Sequence, residues 1–450
     1  MLCTFYLKKA KLHIRFHKLD NLLKDRLEPL KIFWGNLELA TISPKTNFVV
    51  DKMYSFKMKN ETQISTPAII MKYKIENHIV NIAPIVSILL DPMSVPGKTV
   101  KSKKGKMIVL NQLAEKLSKK GFAVTAIHPE SVTCYNQTTI SGYVYTCSSE
   151  GDKYTWEKAV FPFPKVIYNQ ISARKWEALE TSKYAKEVIV KKIGEGFFNA
   201  CFLNKYESYS ILSENPYLKN FLLDVKIYNA NNAVKMLKKY DMLYFKPISN
   251  SLGNGIWRLL KLKDRRFVFQ TKRDNKVVNY VSKNVRKLLQ LFESNIGNTR
   301  YLIQQGVKLL RHDDRIFDIR ALTQKNCLGE WSLTGSGARV AAPNAFMTHV
   351  PNGGEIMDLD LILRNTIDDK EKLNDIYKQL NEMSTEIPRT IEKEFEVNFG
   401  EMSMDIGIDK NNNLFLIEIN AKPMRFDEVE IQEEAVNKLS AYISYLSNWE

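Results

Sequence analysis

A chain of 450 residues with 66 Lys and Arg against 50 Asp and Glu carries +16, and 44% apolar with 26% charged residues is globular composition, which excludes a disordered chain. The five cysteines (Cys3, Cys134, Cys147, Cys201 and Cys327) are odd in number and lack CxxC or Cys/His zinc spacing; the chain reads as reduced and cytoplasmic. The most apolar stretch, Ile79 to Leu90, carries Asn81, Pro84 and Ser87 and is too short for about 30 Å of hydrocarbon, so no membrane partner is expected.

Lys8, Lys9, Lys11 and Arg15 precede no apolar run of the kind a secretory leader needs, and none is expected. Short β-rich runs at Ile32 to Ala40, Tyr54 to Met58 and Ala68 to Tyr73 predict a small β-rich N-terminal domain over residues 1–80, without a chemical motif. From Ala83 the pattern changes. A strand at Ile85 to Leu90, a helix carrying Leu110, Leu113 and Leu117 that stops at Gly121, and strands at Phe122 to Ile127 and Val166 to Asn169 predict an α/β domain over 81–200. Beyond it come helices at Tyr206 to Ser213 and Ala230 to Lys239 and a strand at Met242 to Lys246. A Ser/Gly loop from Ser249 to Gly255 leads into a strand at Ile256, and a helix follows around Ser282 to Phe292. Short strands run to Val340, a long helix spans Asp369 to Phe395, and a hairpin precedes a C-terminal helix.

Residues 1–60 hold 12 basic and 5 acidic groups, whereas residues 391–450 hold 5 and 13. The positive field over the rest of the chain favours polyanions in general. No basic-aromatic patch or reader motif singles out nucleic acid, which is not an expected partner.

The most informative segment is Met402 to Asp409, an Asn-rich turn, and Leu414 to Asn420. With the turn centred between Asn411 and Asn412, Asp405 lies across from Glu418 on one face with Asn420 beside them. Met404, Ile406, Ile408, Phe415, Ile417 and Ile419 form the opposite, core face. Cross-strand carboxylates about 5 Å apart repel unless solvent or a cation intervenes. Carboxylate and amide oxygens suit Mg²⁺, although a polar hairpin end facing water is the plainer alternative. Lys246-Pro247 followed by Ser251, Gly253 and Gly255 is a lysine before a loop able to approach phosphates, or an ordinary turn. It is no Walker A loop, since no GK[ST] follows. Asp318 and Arg320 share a strand face and could be a structural ion pair. Arg339 follows a small-residue run, Lys205 precedes a helix, and Gln304-Gln305 closes a strand. His349 lies in a turn-rich loop and is given no role.

Taken in order, Lys205, Lys246 with its loop, Gln304-Gln305-Gly306-Val307, Asp318 and Arg320, Arg339, Asp405 and Glu418-Ile419-Asn420 resemble an ATP-grasp enzyme over about residues 83 to 450. Val166 to Ile171 with Arg174 and Glu177, Phe317 to Arg320, and Thr348-His349 with Gly353-Gly354 resemble the YheC/YheD type, spore-coat-associated proteins of endospore-forming bacteria. Gln170 and Met424 stand where that family usually has arginine and glycine. The resemblance implies an α+β ATP-grasp domain over 201–450, two lobes divided near residue 310, preceded by the α/β domain. It implies phosphate contacts from Lys205, Lys246, Ser251, Gly253 and Gly255, and adenine against the backbone of the strand from Gln304 and Gln305 to Val307. Asp318 would orient Arg320 or the ribose. Mg²⁺ or Mn²⁺ would sit on Asp405, Glu418 and Asn420, and Arg320 and Arg339 would face the γ-phosphate and an acyl phosphate. The implied activity is an ATP-dependent carboxylate-amine ligase acting on an acidic peptide, with spore coat proteins as partners. A coat component that holds nucleotide without turnover is the alternative.

Overall fold

The structure, a computed structural model, describes residues 1–450 other than 9–10, 18–27, 35–36, 47, 49–51, 59–65, 77–78, 93, 95, 97–105, 148–153, 249–254, 274–275, 349–352 and 450. Its strands form four principal sheets. The first has seven strands, in the order Leu37–Ile42, Leu30–Trp34, Ile79–Ile82, Thr66–Glu76, Leu2–Lys8, Lys11–Phe16 and Met53–Lys57. Sequence reasoning missed Leu2–Lys8 and Lys11–Phe16. Their alternation is strict, with Cys3, Phe5, Leu7, Leu12, Ile14 and Phe16 buried, but interleaved Lys, Arg and His dilute it.

The second sheet is built on three parallel strands, Ala123–Ile127, Ile85–Leu89 and Val166–Asn169, each buried along its whole length. Continuous apolar runs suit strands covered on both faces. The helix Lys106–Lys119 lies between the first two strands in sequence and packs Leu110, Leu113 and Leu117 into the apolar cluster.

The third sheet runs Val225–Ile227, Tyr301–Gln305, Met242–Pro247, Trp257–Lys261, Phe267–Arg273 and Lys276–Ser282. Its core face stacks Phe245, Trp257 and Phe269 against Phe292 of the helix Val285–Ile296. The fourth runs Glu355–Asp358, Trp331–Val340, Arg315–Lys325, Glu401–Ile408 and Leu414–Asn420. The helix Lys370–Phe395, capped by the Asp369 carboxylate, buries Ile376, Leu380, Met383 and Ile387 in the core behind it. The C-terminal helix Val429–Ser447 then reaches back to the helix Lys106–Lys119, with Leu439, Tyr442 and Ile443 in the same cluster as Leu113 and Leu117. At that junction Gly400 admits no side chain: a Cβ would sit 2.7 Å from Phe198 and 2.9 Å from Tyr442. Among the described residues no helix is long and apolar enough to cross a membrane.

Candidate active site

A cavity of about 970 Å³ lies between the third and fourth sheets, and strand ends from both supply its polar wall. The Asn204 side chain caps the helix Lys205–Glu214, accepting from Tyr206 N at 3.0 Å, and thereby places Lys205 at the first helical position. Lys246, at the end of Met242–Pro247, is buried with its Nζ 3.4 Å from the carbonyl of Ile417. Gln304 Nε2 donates to the same carbonyl at 3.2 Å and to Tyr209 OH at 2.7 Å, while Tyr209 OH donates to Leu416 O. The amide of Asp224 donates to Gln305 Oε1 at 3.1 Å, which ties the Gln305 side chain to the third sheet.

One carbonyl of the fourth sheet accepts from two side chains of the third because the hairpin is bulged. Ser403, Met404 and Asp405 pair with Asn420, Ile419 and Glu418, but Ile406 pairs with Leu416 and Ile408 with Leu414, leaving Ile417 out of the ladder. Asp405 therefore does oppose Glu418, though not by an even hairpin centred between Asn411 and Asn412. The turn sits half a residue earlier, pinned by Asp409 Oδ1 accepting from the amides of Asn411 and Asn413 at 2.8 and 2.9 Å, and the bulge restores the register. The expected core face is corrected accordingly: Leu414 and Leu416 join Ile406 and Ile408 inside, whereas Phe415 and Ile417 are only half-buried.

Arg320, Asp405 and Glu418 form a row across three neighbouring strands. The two acid side chains retain 18% and 21% exposure, and both line the cavity. Their repulsion is met by cations of the chain: Arg339 Nη2 lies 2.9 Å from Asp405 Oδ2, and Lys205 Nζ lies 3.5 Å from Glu418 Oε1. Arg339 also grips Asp318 with both prongs, at 2.8 and 2.7 Å, and Thr348 Oγ1 donates to Asp318 Oδ2 at 2.6 Å. Asp318 thus orients Arg339, its cross-strand partner, instead of Arg320. Arg320 donates Nη2 to Met424 O at 3.4 Å and lies over the Phe426 ring. Burial opposes the Asp405 charge, yet Arg339 and then Arg320 hold its carboxyl below the ordinary value.

Burial pushes the Lys246 ammonium down to about 8 despite the pull of Glu418, with Lys205 adding repulsion. If Lys246 holds phosphate in its charged form, phosphate raises its pKa and binding takes up a proton. ADP affinity should then fall as pH rises above about 8, by at most about tenfold per pH unit. Calorimetry in buffers of different ionisation heat should register proton uptake at a pH of about 8.5; an affinity flat across that range would contradict this role for Lys246.

The structure thus gathers Lys205, Lys246, Gln304, Gln305, Asp318, Arg320, Arg339, Asp405, Glu418 and Asn420 around one cavity. Ser251, Gly253 and His349 lie outside the described residues. Gly255, at φ +75°, accepts from Tyr301 OH at 2.9 Å and is not in the cavity wall, although Pro247 and Ile256 are. Sequence reasoning gave no role to Tyr209, Phe202, Thr348, Lys422 or Arg174. Tyr209 had a usable signal: it lies one helical turn beyond Lys205, on the same helix.

No group of three or more His, Cys, Asp and Glu side chains among the described residues could hold a metal by itself. The residues fit a hard divalent ion of another kind, one that borrows ligands. Among the described residues Asp405 Oδ1, Glu418 Oε2 and the Asn420 amide make no hydrogen bond, and oxygen donors of this type, completed by water and phosphate, are what Mg²⁺ takes.

The chain is 26% identical over 357 residues to the endospore coat-associated protein YheD of Bacillus subtilis, covering 78% of this chain and 75% of that one. It is 22% identical over 296 residues to YheC of the same organism, covering 63% and 77%. Among solved structures, the D-alanine-D-alanine ligase of Coxiella burnetii aligns over 81% of this chain and 94% of its own, with 10% identity and a TM-score of 0.45. The model of the YheC/D-like ATP-grasp family matches residues 194–447, more than half of the sequence, and the chain belongs to that family.

Proposed function

We propose that the protein is an ATP- and Mg²⁺-dependent (or Mn²⁺-dependent) carboxylate-amine ligase that works through an acyl phosphate. The observation that carries this reading is the union, around one cavity, of two lysines from one side with Asp405, Glu418 and Asn420 from the other. Lys205 and Lys246 would neutralise nucleotide phosphates. The bulged Ile417 carbonyl fixes Lys246 relative to Glu418, so the ammonium and the acid pair are held in register. A bound divalent ion would supply charge neutralisation to phosphate oxygens.

A substrate carboxylate oxygen would attack the γ-phosphorus, breaking its bond to the ADP oxygen. An amine would then attack the acyl carbon, breaking the C–O bond to phosphate and losing a proton. Arg320, beside Asp405 and fixed by Met424 O and Phe426, is placed to meet the negative charge that accumulates on the transferred group. Arg339 holds Asp405 and Asp318 in place, and positioning of this kind carries much of such catalysis. The names of YheD and YheC, endospore coat-associated proteins, support an acceptor among spore coat components, and the net positive charge of the chain suits an acidic peptide as the substrate.

The test is trapping. Incubated with ATP, Mg²⁺, hydroxylamine and fractions of cell extract, the protein should release ADP and an acyl hydroxamate in equal amounts. ADP without hydroxamate would replace the ligase with a hydrolase, and no ADP with any fraction would favour a nucleotide-holding coat component.

A further inference from the structure

Beyond the residues already discussed, the cavity wall holds a cation, Arg174, that feels the charges of Glu177 and Glu418 but forms no ion pair among the described residues. Arg174 and Lys422 both lie over the ring of Phe202, 5.1 and 4.6 Å from its centroid. Lys422 is compensated by Glu177 and donates to the carbonyl of Ile171 at 3.1 Å. Glu177 is fixed in turn, accepting from Asn169 Nδ2 at 2.9 Å and from the Phe202 amide at 3.3 Å. Arg174 differs. Its Nη2 donates to Leu203 O at 2.5 Å, but its Nε is buried with no hydrogen-bond partner among the described residues.

Two residues past Lys422, Met424 accepts from Arg320, whose Nε is likewise buried without a hydrogen-bond partner among the described residues. The short segment from Lys422 to Phe426 therefore links two arginines that share one cavity. Arg174 lines the cavity and its Nη1 makes no hydrogen bond among the described residues, so that edge of the guanidinium is the one a bound acceptor would meet. The cavity wall carries seven Lys and Arg side chains against four Asp and Glu. Of the acids, Asp318 and Asp405 are engaged by Arg339, and Glu418 by Lys205. With Lys205, Lys246 and Arg320 assigned to nucleotide and transferred phosphate, Arg174 and Arg425 are left, and of these Arg425 is exposed whereas Arg174 is half-buried against Phe202 and is the one held to meet a further anion.

We infer that Arg174 anchors a substrate carboxylate distinct from the one ATP activates, with Phe202 holding the guanidinium plane, so the substrate class is a di-acid or acidic peptide. This rests on the ligase reading above. A guanidinium stacked on a ring and presenting an N–H edge selects a carboxylate over the isosteric amide.

The test titrates the full-length protein, saturated with ADP and Mg²⁺, with the dipeptides Glu-Glu and Gln-Gln by calorimetry. Wild type should bind Glu-Glu at least about tenfold more tightly, a preference that falls to about twofold or less in Arg174→Gln and stays intermediate in Arg174→Lys. ADP affinity, measured first, should move by no more than about twofold in either variant, which shows that both fold. Equal binding of the two dipeptides by wild type, or an undiminished preference in Arg174→Gln, overturns the inference. Failure of wild type to bind ADP would count against the ligase reading alone, since the dipeptide comparison run without nucleotide still decides the role of Arg174.

Discussion

Replacing Arg339 by Met should cost about 3–5 kcal/mol of stability, the penalty for leaving buried carboxylates without their cation. Arg339 is itself buried and bridges Asp318 and Asp405, so one substitution strands two acids at once. The neighbouring hydroxyl of Thr348 is too weak a donor to compensate Asp318 alone. The sign of the pH dependence separates this from ordinary loss of packing. In wild type the carboxyl of Asp405 is held below its ordinary 3.8, so its contribution is present above that value and lost only as pH falls further. In the variant, the desolvation of Asp405 is no longer opposed by Arg339, so its carboxyl moves up and the folded state should gain stability relative to wild type as pH falls toward the carboxylate range. Urea melts across that range check both statements, and Asp318→Asn placed in Arg339→Met should recover part of the loss. A variant as stable as wild type would show that Arg339 is not the keystone of this wall.

Glu418→Gln should abolish the benefit of Mg²⁺ for nucleotide binding, weakening ADP affinity in its presence by about 100-fold, or roughly 2.7 kcal/mol. Stability should change little, because Glu418 faces the cavity and its ion-pair partner Lys205 keeps access to water and nucleotide. Without metal the effect should reverse. Removing one of two neighbouring negative charges lessens their repulsion of phosphate, so the variant should bind metal-free ADP as well as wild type or better. Calorimetry with Mg²⁺ and with a chelator reads both arms. A variant that keeps the full Mg²⁺ enhancement would remove Glu418 from the metal site.

The ATP-grasp fold class expected from the order of the motifs holds, as the family model establishes. Local patterns carried much of the reading. Val166–Asn169 and the long helix ending at Phe395 are found at the expected bounds because an apolar run and an N-cap signal are local properties. The Asp405 and Glu418 pairing was reached through two errors that cancel, a misplaced turn and an unseen bulge. Ile417 looks like any other strand residue in the sequence. What makes it different is the demand for a carbonyl from Lys246 and Gln304, residues far away along the chain. The partners of Arg339 were hidden for the same reason. Alternation shows that Asp318 and Arg320 share a face, but only the register between two long strands brings Arg339 opposite Asp318, leaving Arg320 to Met424 and Phe426.

The most direct measurement is electron paramagnetic resonance of Mn²⁺ titrated into the protein with and without ADP. If the acid pair and nucleotide share one ion, free Mn²⁺ signal should be lost far more strongly when ADP is present, and the loss beyond that caused by ADP alone should vanish in the Asp405→Asn, Glu418→Gln double variant. Equal Mn²⁺ uptake by wild type and double variant in the presence of ADP would contradict it.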